Sequence, residues 1–296
     1  MLQEGRDIYV ISDLHLGDGG PRDNFAAVHG DNVSRPEQFH KFLDYVEKNE
    51  GQLLILGDLF ELWQANFGKV LIHSVPILDR LAAMKAVYVV GNHDIDLEPF
   101  IKHNLLRHTF FEGMAAPFTH VMGGKSFHFM HGHEVDPVNN AETPGFGRIL
   151  TIAAGFFEDA NKSPYLPSGE TVESTLLGVV EPIWDALKSK FAKIDKETAA
   201  KVSDQELTPR QKPSRVRGHF EQMRKHKDEE GYDYAVVGHT HEPGKFEGWY
   251  FNSGSWVCMK EGRTTNNFLR ISTDGDVKVY DWDNDRAVLN EAIINV

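Results

Sequence analysis

The sequence predicts an α/β fold, and three observations carry that expectation. Short apolar runs rich in β-branched residues recur along the chain, nearly all of them end in acid, amide or imidazole side chains, and amphipathic helical patterns separate the first few. The runs read DIYVISDLH (7–15), QLLILGD (52–58), AVYVVGNHD (86–94), SFHFMHGH (126–133) and DYAVVGHTH (233–241). Uninterrupted apolar runs of this length suit strands covered on both faces better than strands with one wet face.

Between the first two runs, Ser34 and Glu37 form a possible capping box, and Phe39, Phe42, Leu43 and Val46 fall on one helical face before Gly51. The spacing predicts a helix there and a second over 76–86, so the first 94 residues read as a layered α/β start. Residues 140–230 break the rhythm. Within them, Leu176, Leu177, Val180, Trp184, Leu187 and Phe191 share a helical face, with Pro182 as a kink or boundary. After 245, GWYFNSGSWV and NFLRISTDGDVKVYDWD read as antiparallel strands, with TDGD as a hairpin signal. The chain is therefore expected to be a single domain over 1–296 with a helical insertion at 140–230.

A chain of 296 residues, 41% hydrophobic and 25% charged, has enough length for one large core plus an inserted subdomain. Its net charge of −13 works against broad attraction to nucleic acid phosphates. The stretch 188–227 runs the other way, with twelve Lys or Arg against five Asp or Glu. It reads either as a solvated helical surface or as a cap that attracts an anionic substrate. One cysteine, Cys258, excludes an intrachain disulfide and suits a reducing compartment. The N-terminus lacks the pattern of a secretory signal, and no apolar run reaches the roughly 18 residues of a membrane span. A cytoplasmic location is expected, with peripheral membrane contact left open.

Ligand sites in open α/β sheets collect at the carboxyl ends of strands. Asp13, His15, Asp58, Asn92, His93, His131, His239 and His241 all stand at or just past such ends. Asp-x-His alone carries no weight as a motif, but GNHD, HGH and GHTH, in order and each behind a strand, make coincidence a poor explanation. Carboxylates, imidazoles and an amide without thiolate suit divalent manganese, iron, zinc, cobalt or magnesium. Even without His93, the seven remaining groups exceed what one tetrahedral ion needs, whereas two ions sharing a carboxylate would use them all.

The ordered set of Asp13 with His15, Gly57-Asp58, Gly91-Asn92-His93-Asp94, His131, and Gly238-His239-Thr240-His241 resembles the calcineurin-like metallophosphoesterase superfamily. NSGS (252–255) resembles the strand that follows these motifs there. The resemblance implies a four-layer α/β/β/α sandwich of two mixed sheets with a dinuclear metal centre, manganese being the first choice. It implies that Asp13, His15 and His241 bind one ion, that Asn92, His131 and His239 bind the other, and that Asp58 bridges them. DLHLGD, GDLFELW and the insertion before GHTH are similar to the UDP-2,3-diacylglucosamine pyrophosphatases of lipid A synthesis. The best-known of those carry arginine where this chain has His93. GDLFE and GNHD differ from the corresponding blocks of Ser/Thr protein phosphatases.

The expected chemistry is hydrolysis of a phosphodiester or pyrophosphate bond by metal-activated hydroxide, on a phosphorylated small molecule or lipid-linked substrate. His93 is expected as general acid, with Asp94 orienting its ring. The alternatives are a nuclease or cyclic-nucleotide phosphodiesterase on the same site, and a non-catalytic scaffold. His133 is a candidate substrate contact. Trp63 and Phe67 read as core or pocket wall. The other histidines, His219 among them, lie outside the motif blocks and read as structural or solvent-exposed.

Overall fold

The computed structural model describes residues 2–20, 23, 25–26, 34–63, 65–136, 212–257, 259–260, 263–264 and 266–291. The first apolar run becomes β1 (Ile8–Ile11), buried along its whole length. Side chains alternate across a strand, so Tyr9 and Ile11 face one core and Ile8 and Val10 another. The same division holds in β2 (Gln52–Leu56), where Leu53 and Ile55 oppose Leu54 and Leu56. An unbroken apolar run is thus what a strand between two layers requires.

On the Tyr9 side lie α1 (Arg35–Lys48) and α2 (Phe67–Ala83). Ser34 caps α1 by accepting from the Glu37 amide at 3.4 Å, and Phe39, Phe42, Leu43 and Val46 are buried as the periodicity predicts. Full burial of each of these is worth roughly 1.5–3 kcal/mol. The second helix corrects the sequence expectation of 76–86. It begins nine residues sooner, at Phe67, where Asn66 Oδ1 accepts from the Lys69 amide, and Pro76 lies inside it. Proline is favoured at a helix start, which explains the misreading, but here it occupies the exposed side of a helix buried through Val70, Ser74, Ile77, Leu78 and Leu81.

β3 (Val87–Val89) follows, then α3 (Glu98–Lys102) and the short β4 (Met114–Ala115). Strands β5 (Phe118–Met122) and β6 (Lys125–Phe129) form a hairpin. The chain returns as α4 (Lys212–Glu230), β7 (Tyr234–Val237), β8 (Gly244–Phe246) and β9 (Tyr250–Asn252). A ribbon of β10 (Met259–Lys260) and β11 (Arg263–Thr264) precedes β12 (Asn267–Ile271), β13 (Val277–Asp283) and β14 (Arg286–Asn290).

The seven-stranded sheet runs β14-β13-β12-β1-β2-β3-β4 and the five-stranded sheet β5-β6-β7-β9-β8. Both are mixed: β1 to β4 are parallel, as are β6, β7 and β9, while the remaining pairs are antiparallel. The expectation that GWYFNSGSWV forms an antiparallel strand is corrected in part, because β9 is antiparallel to β8 but parallel to β7. Ile8, Val10, Leu54 and Leu56 meet Phe127, Phe129, Val236 and Phe251 between the sheets. On the outer face of the second sheet, Ala235, Val237 and Tyr250 pack with Phe220 and Met223 of α4. The layers are therefore helix, sheet, sheet, helix, the four-layer sandwich that the motif resemblance implies.

Residues 1–149 and 213–296 form one compact unit. The helical pattern over 170–191 and the basic stretch up to 211 lie outside the described residues.

Candidate metal centre

Every parallel strand that carries a motif stops short of its polar residues, so those residues stand in the loops at one end of both sheets. β1 ends at Ile11 before Asp13 and His15, β2 at Leu56 before Asp58, and β3 at Val89 before Asn92. β6 ends at Phe129 before His131, and β7 at Val237 before His239 and His241. Backbone bonds then lash the loops together. The Asp13 amide donates to Gly57 O, the His15 amide to Asp58 O and the Gly238 amide to His131 O, at 3.1, 2.9 and 2.9 Å.

Asp13, His15, Asp58, His239 and His241 all have left-handed backbone, with φ between 48° and 65°. Each such non-glycine residue costs on the order of 1–2 kcal/mol, so the loops hold a conformation that their own preferences resist. The motif glycines have a simpler cause. A Cβ on Gly91 would collide with the Asp58 side chain, and one on Gly238 with Ser12 and Asp13. The NSGS block supports the site from behind: Ser253 Oγ lies 2.7 Å from Ser12 Oγ, and Ser255 Oγ donates to Asp13 O.

All seven predicted ligands converge. Ligand atoms of Asp13, His15 and His241 lie within 4.8 Å of one another, as do those of Asp13, Asp58 and His131. Asn92 Oδ1 is 3.1 Å from both His131 Nε2 and His239 Nδ1. Apart from His241, which is partly exposed, these residues are buried.

In His15, His131 and His239, which nitrogen faces inward is set by an acceptor on the other one. His15 Nδ1 is 3.2 Å from Glu61 Oε2, His131 Nδ1 is 2.6 Å from Leu56 O, and His239 Nε2 is 2.7 Å from Asp136 Oδ2. A carbonyl or an ionised carboxylate can only accept, so the proton sits there and the opposite nitrogen turns toward the site. Sequence reasoning supplied no such partners. Glu61 lies in the quoted GDLFELW block, whereas Asp136, five residues past His131, carries no motif signal. Glu134 adds a brace by accepting from the His131 and Gly132 amides.

His93 lies beside the cluster, its Nε2 4.0 Å from Asp58 Oδ2. The expectation that Asp94 orients its ring is corrected. The Asp94 carboxylate accepts from the backbone amides of Gly91, Leu59 and Phe60 at 2.6, 2.7 and 3.2 Å, which ties the second and third motif loops together. Glu61 holds the ring instead: its Oε2 lies 2.9 Å from His93 Nδ1 and its Oε1 accepts from the Trp63 amide. Trp63 stacks on the imidazole at 3.7 Å between centroids and 21° between planes. Burial opposes a charge on His93, but the Asp58 and Glu61 carboxylates outweigh it and raise its pKa. Phe67 packs on Phe100 at the start of α2, while His133 is buried with Nδ1 3.4 Å from Glu134 Oε2.

Three features fit a bound cation. His15 Nε2 is buried and makes no hydrogen bond, and Asp13 Oδ1 is buried with His241 Nε2 3.0 Å away, two groups that a shared cation would bring together. His239 is neutral, burial holding its pKa down to about 4, and its one proton is committed to Asp136. Its Nδ1 lone pair therefore faces the Asn92 amide oxygen at 3.1 Å, an acceptor pair that a cation between them would satisfy. The donors are oxygen and nitrogen, the set that divalent first-row metals accept.

Among the described residues no helix is long and apolar enough to cross a membrane. No curated protein matches the chain. Solved structures similar to it include vacuolar protein sorting 29 from Cryptosporidium parvum, at 12% identity and a TM-score of 0.44 over 97% of each chain. Zinc-complexed Vps29 from Entamoeba histolytica shares 14% identity at a TM-score of 0.42, over 98% of this chain and 99% of that one. A mutant cold-active protein tyrosine phosphatase shares 12% identity at 0.37, over 96% and 80%. The family model for calcineurin-like phosphoesterases matches residues 7–243, a span that takes in every loop carrying a candidate ligand. The chain belongs to that family and is a metal-dependent phosphoester hydrolase.

Proposed function

We propose that the seven ligands hold two divalent ions, manganese by preference, and that the enzyme cleaves a phosphodiester or pyrophosphate bond. The observation that supports this reading is that ligand atoms of Asp13, His15 and His241 lie within 4.8 Å of one another while Asn92 Oδ1 lies 3.1 Å from both His131 Nε2 and His239 Nδ1. Asp58 Oδ2 lies 3.9 Å from His15 Nε2 and 3.3 Å from His131 Nε2, which supports a bridging role. Asp13, His15 and His241 would serve one ion and Asn92, His131 and His239 the other. Bound there, divalent ions supply Lewis acidity to the phosphoryl oxygens and lower the pKa of the attacking water.

The chain's own groups do the rest. His93, held at Nδ1 by Glu61, presents Nε2 to the leaving oxygen and donates its proton as the bond breaks. Trp63 covers one ring face and limits rotation about the side chain, so the donor stays aimed. The likeness of DLHLGD and GDLFELW to UDP-2,3-diacylglucosamine pyrophosphatases supports a pyrophosphate linking a nucleotide to a lipid-borne sugar as the substrate class.

Metal analysis of the manganese-loaded protein should find two ions per chain, and one per chain would reject the dinuclear reading. Bis-p-nitrophenyl phosphate should turn over faster than p-nitrophenyl phosphate. A UDP-linked acylated sugar that is left intact while the model diester is hydrolysed would remove the substrate class and keep the chemistry.

A further inference from the structure

His219 is a buried polar residue on the inner side of α4, beside the apolar Phe220 and Met223. Its ring is occupied at both nitrogens. Nε2 lies 2.9 Å from Gly132 O and Nδ1 3.1 Å from the Tyr250 hydroxyl. The carbonyl can only accept, so Nε2 carries the proton and Nδ1 accepts from the tyrosine. A neutral ring makes both bonds, and burial favours that state by lowering the pKa of His219.

Each bond leads to a loop that carries metal ligands. Gly132 sits between His131 and His133 with φ of 114°, and a Cβ there would lie 3.0 Å from His219 Nε2 and 3.4 Å from His239 Cβ. Tyr250 leads to the other loop through Asn252. The Asn252 amide donates to Gly238 O at 2.6 Å and to Thr240 Oγ1 at 3.1 Å, and lies 3.5 Å from the Tyr250 hydroxyl. His239 stands between these anchors, its ring 5.7 Å from that of His219.

We propose that His219 is a positioning residue of the metal centre, clamping the 131–134 loop to the 238–241 loop through Gly132 O on one side and the Tyr250–Asn252 pair on the other. The inference rests on the dinuclear reading above. His219 touches neither ligand atoms nor substrate. It fixes the spacing of the two loops that deliver His131 and His239; groups bonded directly to metal-binding side chains govern about 10- to 100-fold of metal affinity, and a clamp one step further out is expected at the low end of that range.

The test is calorimetric titration of manganese into metal-free full-length protein, with thermal melting of the same metal-free samples. His219→Leu should weaken manganese binding at the 131/239 side about tenfold. His219→Gln places an amide nitrogen near the Nε2 position and should restore most of that affinity. Tyr250→Phe removes one hydroxyl, and its loss should be smaller and less than additive with His219→Leu. If His219→Leu does not fold, the Gln and Phe variants carry the test, with Tyr250→Phe expected to weaken manganese binding measurably and His219→Gln to remain near wild type. Manganese affinity unchanged within twofold in the folded variants, with melting lowered, would reduce His219 to a core residue. A wild-type protein that binds no manganese would instead bring down the dinuclear reading and the inference with it.

Discussion

The loops leaving the first sheet and those leaving the second bring unlike chemistry to one site. From the first come the carboxylates of Asp13, Asp58, Glu61 and Asp94, with the imidazoles of His15 and His93 and the amide of Asn92. From the second come the imidazoles of His131, His239 and His241. Asp58 and Asp94 show what facing imidazoles, from either sheet, do for a buried carboxylate. Both are buried, and burial pushes each carboxyl upward. His131, His93 and His15 surround Asp58, outweigh that penalty and hold it well below the usual range. Asp94 sees the Asp58 charge, and its backbone donors and Tyr88 only partly compensate, so its pKa is pushed up to about 6. A buried carboxyl is held low here where imidazoles face it and pushed up where another carboxylate does.

The sharpest way to break the contrast is to remove the carboxylate between the two sides. Asp58→Ala should reduce turnover of a model diester by at least about 10⁴-fold, since both donor sets lose a member, and should lower the manganese stoichiometry. A variant with wild-type stoichiometry and appreciable turnover would show that Asp58 does not join the sets. Next in size is His93→Ala, expected to cost on the order of 10³-fold in kcat with metal content kept, as befits a lost proton donor.

Glu61 and Asp94 then separate orientation from scaffolding. Glu61→Gln should lower kcat by about 10- to 100-fold with little change in melting, because the amide holds His93 and His15 less firmly. Asp94→Ala leaves three buried amides unpaired at about 1–3 kcal/mol each and should act mainly through melting temperature. Equal behaviour of the two variants would return Asp94 to the role that its place in GNHD first implied.

That reversal marks the boundary of what the sequence discloses. The candidate ligands are legible because each stands directly behind an apolar run, and strand ends in an α/β sheet share one edge. The layers are legible because runs such as YVI and LLIL permit no wet face. Glu61, Asp136 and His219 are not, since their roles depend on where an imidazole turns its second nitrogen, a relation made across loops far apart in the chain. His219 and Gly132 are 87 residues apart, and His239 and Asp136 are 103 apart. Asp94 misled for the opposite reason: adjacency to His93 hid the fact that its carboxylate points back into the loop. The early start of α2 was masked by Pro76, whose usual place is a helix's first turn.

The mildest test asks how the two sides manage without a cation. Burial disfavours charge on His131, but the Asp58 carboxylate 3.3 Å away, with Asp13 and Glu134, more than offsets it and pushes the pKa up to about 10. In metal-free protein at pH 7 the imidazole is therefore protonated and neutralises part of the carboxylate side. A folded-state pKa raised above the unfolded value of about 6.5 gives stability that is fully present below that value and lost as pH climbs toward 10. Metal-free protein should melt lower at pH 9 than at pH 7. A cation at the same place must displace the proton, so manganese uptake at pH 7 should release about one proton from His131, and affinity should rise about tenfold per pH unit below the pKa. Titrations in two buffers of different ionisation enthalpy would count the protons. A count of zero would mean that the imidazole is already neutral, and that the carboxylate side of the site balances its charge in some way other than by a proton on His131.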